Sequence, residues 1–461
     1  MQDLKHLSRK KPFTGFTPSG IGFSNRRIKS TRVSGRLRLL PSGKRLYNLK
    51  LTLLGLAVIL GIFPLYRPVV SYVTGVYTSL RSGSDSQRTQ QPKQPDPPKP
   101  PAALSSFTIA GSLLETAEMQ GDSLMARTSD GRQLTYTIMG GLQKRVHDYL
   151  ERNKVPYGVF VAIEPATGRI LGMTSYSARD NEWSRTSMYG LYPMASLFKI
   201  ITASAALESR KITPESVVEF RGNSYSENPR YWEISPRGKN NRLDVTYALG
   251  KSINPVYGRM ASEIAGKKSV MESVSRFGFN QELLPGVPVK ASQAAEPTSD
   301  HGLMLMGAGL NHDVKISPLH AAVIMSAIAN GGKMMAPGLT SSIADDKGVQ
   351  GDLFTPRELR RLVTPETAAS LTRMLSSTVL TGTSRKAFHD RRGRPLINVP
   401  IAAKTGSING TDPKGHYSWF AAFAPINSPR IALVALVINP DKWRVKASQV
   451  GEQALEEFFK H

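Results

Sequence analysis

The sequence predicts a mixed α/β body behind a single N-terminal membrane span, its sheet built by strands from both ends of that body and faced by helices. Three observations carry this reading. An apolar run near residue 50 follows a basic block, a hairpin pattern at 157–173 is followed mostly by helix, and three strand-like runs with a closing helix end the chain. The 461 residues are long enough for about three domains of roughly 150 residues. The absence of cysteine excludes a disulfide scaffold, a Cys-ligated zinc or iron–sulfur site and a thiol nucleophile. Lys and Arg total 60 against 35 Asp and Glu, a net charge of +25. Charge of that size points first to a polyanion, so its location matters.

Half of it is local. Residues 1–50 hold 13 Lys/Arg and one acid, Asp3, leaving +13 for the other 411 positions. Residues 1–48 read as a basic cytoplasmic tail that cannot bury enough apolar surface to fold alone. The tail lacks interleaved aromatics, so no nucleic-acid partner is expected. The 16 residues Leu51 to Tyr66 form the apolar run. As a helix they extend about 24 Å, short of the ~30 Å hydrocarbon core. Leu46 and Tyr47 on one side, and Val69, Val70, Tyr72 and Val73 on the other, lengthen the run. We place the transmembrane helix at 49–73, with the basic flank inside. A signal peptide fits less well, because its basic region would be ~50 residues long. Residues 74–103, with the run from Gln91 to Pro101, read as an extended Pro-rich extracytoplasmic linker. Residues 104–134 form a short linker or reduced pedestal, and 135–461 the functional body.

Within the body, Gly158–Ile163 and Arg169–Met173 alternate around Pro165-Ala166-Thr167-Gly168, a hairpin with turn chemistry in place. Met194–Ser209, Leu319–Ala329 and Pro365–Val379 carry helical periodicity, the second ended by Asn330-Gly331-Gly332. Ile401–Ser407, Tyr417–Ala424 and Ile431–Ile438 read as strands, and Ala447–Lys460 as an amphipathic helix. No internal repeat is visible.

Three short motifs carry chemistry. Ser196-Leu197-Phe198-Lys199 opens a predicted helix, which sets a hydroxyl near unpaired N–H groups and a lysine one turn above it. A lysine in a crowded cationic pocket can lose its proton and act as base to that serine. Ser252-Ile253-Asn254 lies 56 residues on, offering a proton relay and an amide clamp. Lys404-Thr405-Gly406-Ser407 follows 152 residues later in a strand-like run, where glycine admits a substrate backbone. Lys404 supplies charge, the Thr405 and Ser407 hydroxyls can bind a carboxylate, and the Ser196 and Ser407 N–H groups can share an oxyanion hole. Each motif alone has a bland counterpart: a capped helix, a turn, a Gly-marked edge strand. Together, in order, they match the set of penicillin-binding proteins and class A β-lactamases, with Ile253 in place of Asp.

From about Thr135 onward the chain resembles the penicillin-binding protein transpeptidase domain, class B more than class A. Leu142-Gln143 before the hairpin, Tyr192-Pro193-Met194-Ala195-Ser196, Ser317-Pro318-Leu319-His320, Thr381-Gly382-Thr383 and Trp419-Phe420 resemble further family segments. Ala195 and Ala403 stand where the family has glycine, read as a mild change. The resemblance implies a serine β-lactamase/transpeptidase-like fold, α/β (α+β), with a central antiparallel sheet flanked by helices and an all-α lobe. It implies that Ser196 attacks a D-Ala-D-Ala stem peptide and is acylated by β-lactams. Lys199 would be the base, Ser252 the relay and Asn254 the acyl clamp. Lys404, Thr405, Gly406 and Ser407 would bind the terminal carboxylate. Implied partners are peptidoglycan stem peptides, β-lactams, the cytoplasmic membrane, and a membrane glycosyltransferase or other wall-synthesis proteins.

A D,D-carboxypeptidase, a β-lactam-hydrolysing or β-lactam-sensing protein on the same fold, and a non-enzymatic scaffold are the alternatives. Asn254 disfavours class D β-lactamases, which carry S-x-V there. His301, His312 and His320 lack metal-ligand spacing, so neither metal nor cofactor is expected. Gly307-Ala308-Gly309 reads as a turn rather than a nucleotide fingerprint.

Overall fold

The computed structural model describes residues 105–460, apart from 122, 346–349 and 442. The basic tail, the apolar run at 49–73 and the whole Pro-rich linker at 74–103 lie outside the described residues. Among the described residues, no helix is long and apolar enough to cross a membrane.

The described chain begins with helix α1 (Ser106–Leu113), followed by strands β1 (Ser123–Arg127) and β2 (Gln133–Met139). Helix α2 (Gly140–Arg152) leads into the hairpin β3 (Tyr157–Ile163) and β4 (Ile170–Tyr176). Its turn needs Gly168, which sits at φ +88° with the Ala336 carbonyl 2.2 Å from where a Cβ would fall. The middle of the chain is mostly helical: α3 (Lys199–Glu208), α4 (Val245–Lys251), α5 (Asn254–Arg259), α6 (Asp300–Ala308) and α7 (Pro318–Ala329). Strand β5 (Thr340–Ala344) and helices α8 (Pro365–Leu380) and α9 (Arg385–Phe388) precede the last three strands. These are β6 (Ala402–Thr411), β7 (Lys414–Ala424) and β8 (Ile431–Asn439), before helix α10 (Ala447–Phe458).

The central sheet has the order β6-β7-β8-β3-β4, antiparallel throughout, so strands from both ends of the body meet at β8 and β3. Period-two alternation divides each strand between two cores. Val159, Val161 and Ile163 enter one, and Phe160 and Ala162 the other. Helix α7 lies across the first face, and α2 and α10 cover the second. A sheet covered on both faces explains why all of β8 is buried and all of it but Asn439 is apolar. Strand β6 is left at one edge of this sheet.

The segment before residue 135, expected to be a linker or pedestal, is woven into this body. β1 pairs with β2, and β2 pairs with β5 about 200 residues later. The Tyr136 hydroxyl donates to the Ala110 carbonyl at 2.7 Å, which ties down α1.

His320, in the first turn of α7, is locked among carbonyl and hydroxyl partners. The Phe277 carbonyl can only accept, so Nε2 carries the proton (2.9 Å), and Nδ1 accepts from Ser292 Oγ at 2.6 Å. Burial, assisted by the charge of Arg360 and opposed by the Phe277 hydrogen bond, lowers its pKa from 6.5 to about 4. The unfolded chain therefore takes up this proton first. The contribution to stability is complete above pH 6.5 and is lost as pH falls toward 4, by about 3 kcal/mol. Urea midpoints measured from pH 7 to pH 4 should fall less steeply in His320→Gln than in the wild type.

Candidate active site

The helix expected from Met194 begins as a 3₁₀ turn, Ala195–Phe198, and becomes α-helical at Lys199. This turn brings Ser196 and Lys199 to the same face, and both are buried. Lys199 Nζ has three oxygen partners: Ser196 Oγ at 2.8 Å, Asn254 Oδ1 at 2.9 Å and the Ala308 carbonyl at 2.6 Å. Complete burial, reinforced by the charge of Lys404, holds the Lys199 pKa well below the ordinary lysine value. The geometry suits a neutral amine. Its two N–H groups go to Asn254 and Ala308, and its lone pair turns to the Ser196 hydroxyl.

Ser252 caps α4 in the left-handed conformation, φ 59° and ψ 41°, which ends one helix and lets Asn254 start the next. The Asn254 amide nitrogen is 3.5 Å from the Tyr225 carbonyl and 3.4 Å from that of Ser226. Lys404 comes from edge strand β6 and donates to Ser252 Oγ at 2.9 Å and to the Thr405 carbonyl at 2.7 Å. Burial lowers its pKa to about 7. The structure refines the expected role of Lys404: it is fully buried and holds Ser252, while Thr405 is half-buried and Ser407 exposed on the same strand.

Glycines set the approach of strand and nucleophile. A Cβ on Gly406 would lie 3.2 Å from Ala195 Cβ, so β6 abuts the turn that carries Ser196. Gly309, at φ +70° after α6, would place a Cβ 2.2 Å from the Ala195 carbonyl. Trp419 Nε1 donates to the Pro193 carbonyl at 2.9 Å and fixes the chain entering the turn. Ala195 itself has φ +53°. The replacement read as mild therefore puts a methyl in a left-handed position, at a cost of about 1 kcal/mol.

Two contributors were missed by the sequence reading. The Ala308 carbonyl belongs to the Gly307-Ala308-Gly309 segment read as a turn. A carbonyl has no sequence signature, so no signal could have marked it. Thr383, whose hydroxyl lies 2.6 Å from that of Thr405, did carry one in its T-G-T spacing. Its backbone N–H also donates to the Gly250 carbonyl at 3.0 Å, which joins α8, α4 and β6 at one point. Among the described residues, no group of three or more His, Asp or Glu could hold a metal ion.

The penicillin-binding protein transpeptidase domain matches residues 158–460, which include Ser196, Lys199, Ser252, Asn254 and Lys404. The chain belongs to that family. It is 28% identical over 315 residues to the peptidoglycan D,D-transpeptidase PbpA of Mycobacterium tuberculosis, covering 61% of this chain and 62% of that protein. The match thus spans less than two thirds of that relative's length. Stage V sporulation protein D of Bacillus subtilis is 26% identical over 338 residues, 68% of this chain and 50% of that one. Among solved structures, the imipenem acyl-enzyme of penicillin-binding protein A from M. tuberculosis superposes with a TM-score of 0.60. It is 25% identical, over 71% of this chain and 80% of that chain.

Proposed function

We propose that the protein is a membrane-anchored D,D-transpeptidase that cross-links peptidoglycan stem peptides through an acyl-enzyme on Ser196. The observation that carries this reading is the 2.8 Å contact between the buried amine of Lys199 and Ser196 Oγ. Lys199 takes the hydroxyl proton as Oγ attacks the penultimate D-Ala carbonyl. The tetrahedral oxyanion sits against the Ser196 and Ser407 backbone N–H groups. As the C–N bond breaks, Ser252 passes a proton to the leaving nitrogen, Lys404 holds Ser252, and D-alanine departs. Thr405 and Ser407 hold its carboxylate, and Asn254 holds the acyl chain. The amine of a second stem then attacks the ester, and Ser196 regains its proton. β-Lactams acylate the same oxygen.

The domain plan completes the proposal. Residues 1–48 lie in the cytoplasm, 49–73 cross the membrane, and 74–103 hold the catalytic body away from it on the outer side. Glycosyltransferase or other wall-synthesis partners belong to the same reading.

The test uses the full-length protein in detergent, given penicillin and, separately, a stem peptide ending in D-Ala-D-Ala with an amine acceptor. Stable penicilloyl mass on the peptide containing Ser196, together with amide product, is expected. Rapid penicillin turnover would replace this reading by β-lactam hydrolysis, and D-alanine release to water alone by carboxypeptidase action.

A further inference from the structure

Among the described residues, five other than glycine hold a positive φ: Lys154, Ala195, Arg210, Ser252 and Asn280. Four of them are polar and exposed or half-buried. Ala195 differs: it is apolar, 1% exposed and next to the nucleophile. A side chain persists in this backbone region only where its surroundings hold it there, whereas glycine adopts the same angle without strain.

On one side the turn carrying Ala195 is anchored. The Met194 N–H donates to the Val314 carbonyl at 2.9 Å, and Tyr192 and Pro193 pair with Ile316 and Lys315. A Cβ on Gly309 would lie 2.8 Å from Ser196 Cα, so this wall is close-packed. On the other side the turn faces Gly406 of strand β6, and the Ala195 methyl meets the strand there: a Cβ on Gly406 would lie 3.2 Å from it. Strand β6 is anchored in turn by β7, where Gly406 pairs with Trp419. Among the described residues, no backbone hydrogen bond joins the turn to β6. A side-chain bond does cross, from the Trp419 indole to the Pro193 carbonyl, but two residues before the contact. The separation of turn and strand at this point is thus held by van der Waals contact, and the methyl is the group in contact.

Each of the two residues in contact precedes a donor of the oxyanion hole: Ser196 follows Ala195 on the turn, and Ser407 follows Gly406 on the strand. We propose that the Ala195 methyl is a buttress that fixes the gap between those two N–H groups. Ala195 touches no reacting atom and is a positioning residue for attack by Ser196. Because turn and strand are both anchored, glycine in its place leaves a void rather than closing the gap. The two donors then lose the contact that makes them converge on one oxygen. This role deepens the acyl-transfer reading above and rests on it.

The test uses two esters of one D-alanyl donor with the same leaving alcohol, one with oxygen and one with sulfur at the attacked carbonyl. In each, the bond from Ser196 Oγ to the carbonyl carbon forms, the bond to the alcohol breaks, and the alcohol leaves with the serine proton. Full-length protein in detergent is given each ester, and first-turnover alcohol release reads the acylation rate. Sulfur accepts hydrogen bonds poorly and draws little help from the hole, so the oxygen ester reacts faster in the wild type. In Ala195→Gly, acylation by the oxygen ester should slow about tenfold, and the oxygen-to-sulfur rate ratio should fall by a similar factor. Both rates come from one preparation, so a variant that folds only in part leaves the ratio unmoved. A double-mutant cycle checks the contact itself. Gly406→Ala brings a methyl into the same gap, so it should slow acylation about fivefold less in Ala195→Gly than in the wild type. A ratio that stays or rises overturns the inference. Equal wild-type rates on the two esters do so too, as does an equal effect of Gly406→Ala in both backgrounds. A wild type that releases no alcohol from the oxygen ester overturns the acyl-transfer reading itself.

Discussion

Ser196→Ala is expected to abolish covalent labelling by fluorescent penicillin and to lower D-alanine release from a stem peptide about 10⁴-fold or more. The loss should be this complete because the site has no substitute nucleophile. The chain contains no cysteine. Two other hydroxyls of the site have partners of their own: Ser252 Oγ accepts from Lys404, and Thr405 pairs with Thr383. Ser252 also lies beside a lysine of lowered pKa, Lys404 at 2.9 Å, but in the acyl-transfer reading that pair serves the leaving group, whereas Ser196 is paired with Lys199 at 2.8 Å. Removing one Oγ leaves Lys199 bonded to Asn254 and Ala308, so the variant should fold and its thermal midpoint should change little. Fluorescence on a denaturing gel, wild type beside variant, is the measurement. Residual labelling at another residue would overturn the role given to Ser196.

The sequence disclosed this nucleophile for a physical reason. S-x-x-K, S-x-N and K-T-G-S each place their chemistry within one local element, a turn into a helix, a helix cap and an edge strand. Local elements are what spacing and turn residues report. The central sheet was legible on the same grounds, because β3, β4, β6, β7 and β8 carry strand patterns bounded by Gly, Pro and Asn. What escaped depends on neighbours far along the chain. β1 and β2 are short, and the pairing of β2 with β5 crosses about 200 residues, so in sequence 104–134 reads as a short linker or reduced pedestal. The burial of Lys404 follows from packing that no spacing reveals. The strain at Ala195 follows from a backbone angle. The Ala308 carbonyl is positioned by α6 and Gly309, 109 residues from the lysine it meets.

That carbonyl leads to the second large effect. Lys199→Ala should slow penicillin acylation about 10³-fold, the scale of a lost general base. The cause can be separated from general damage, because it is electrostatic and has a sign. Lys199 works as a base only while neutral. Two causes keep it neutral: first burial, then repulsion from the charge of Lys404. Acylation should therefore fall on the acid side as Lys199 gains its proton. In Lys404→Gln the repulsion is gone, the charged form of Lys199 is penalised less, and its pKa rises. The acid limb of the rate–pH profile should then move to higher pH. The plateau also falls, because Ser252 has lost its donor, so the position of the limb, and not its height, is the quantity compared. Lys404 itself has a pKa of about 7, so its repulsion is strongest below neutrality, the range in which Lys199 most needs it. Stopped-flow acylation by a chromogenic cephalosporin from pH 5 to pH 9 reads both quantities. A limb that stays in place, or moves to lower pH, would show that Lys404 does not tune the base.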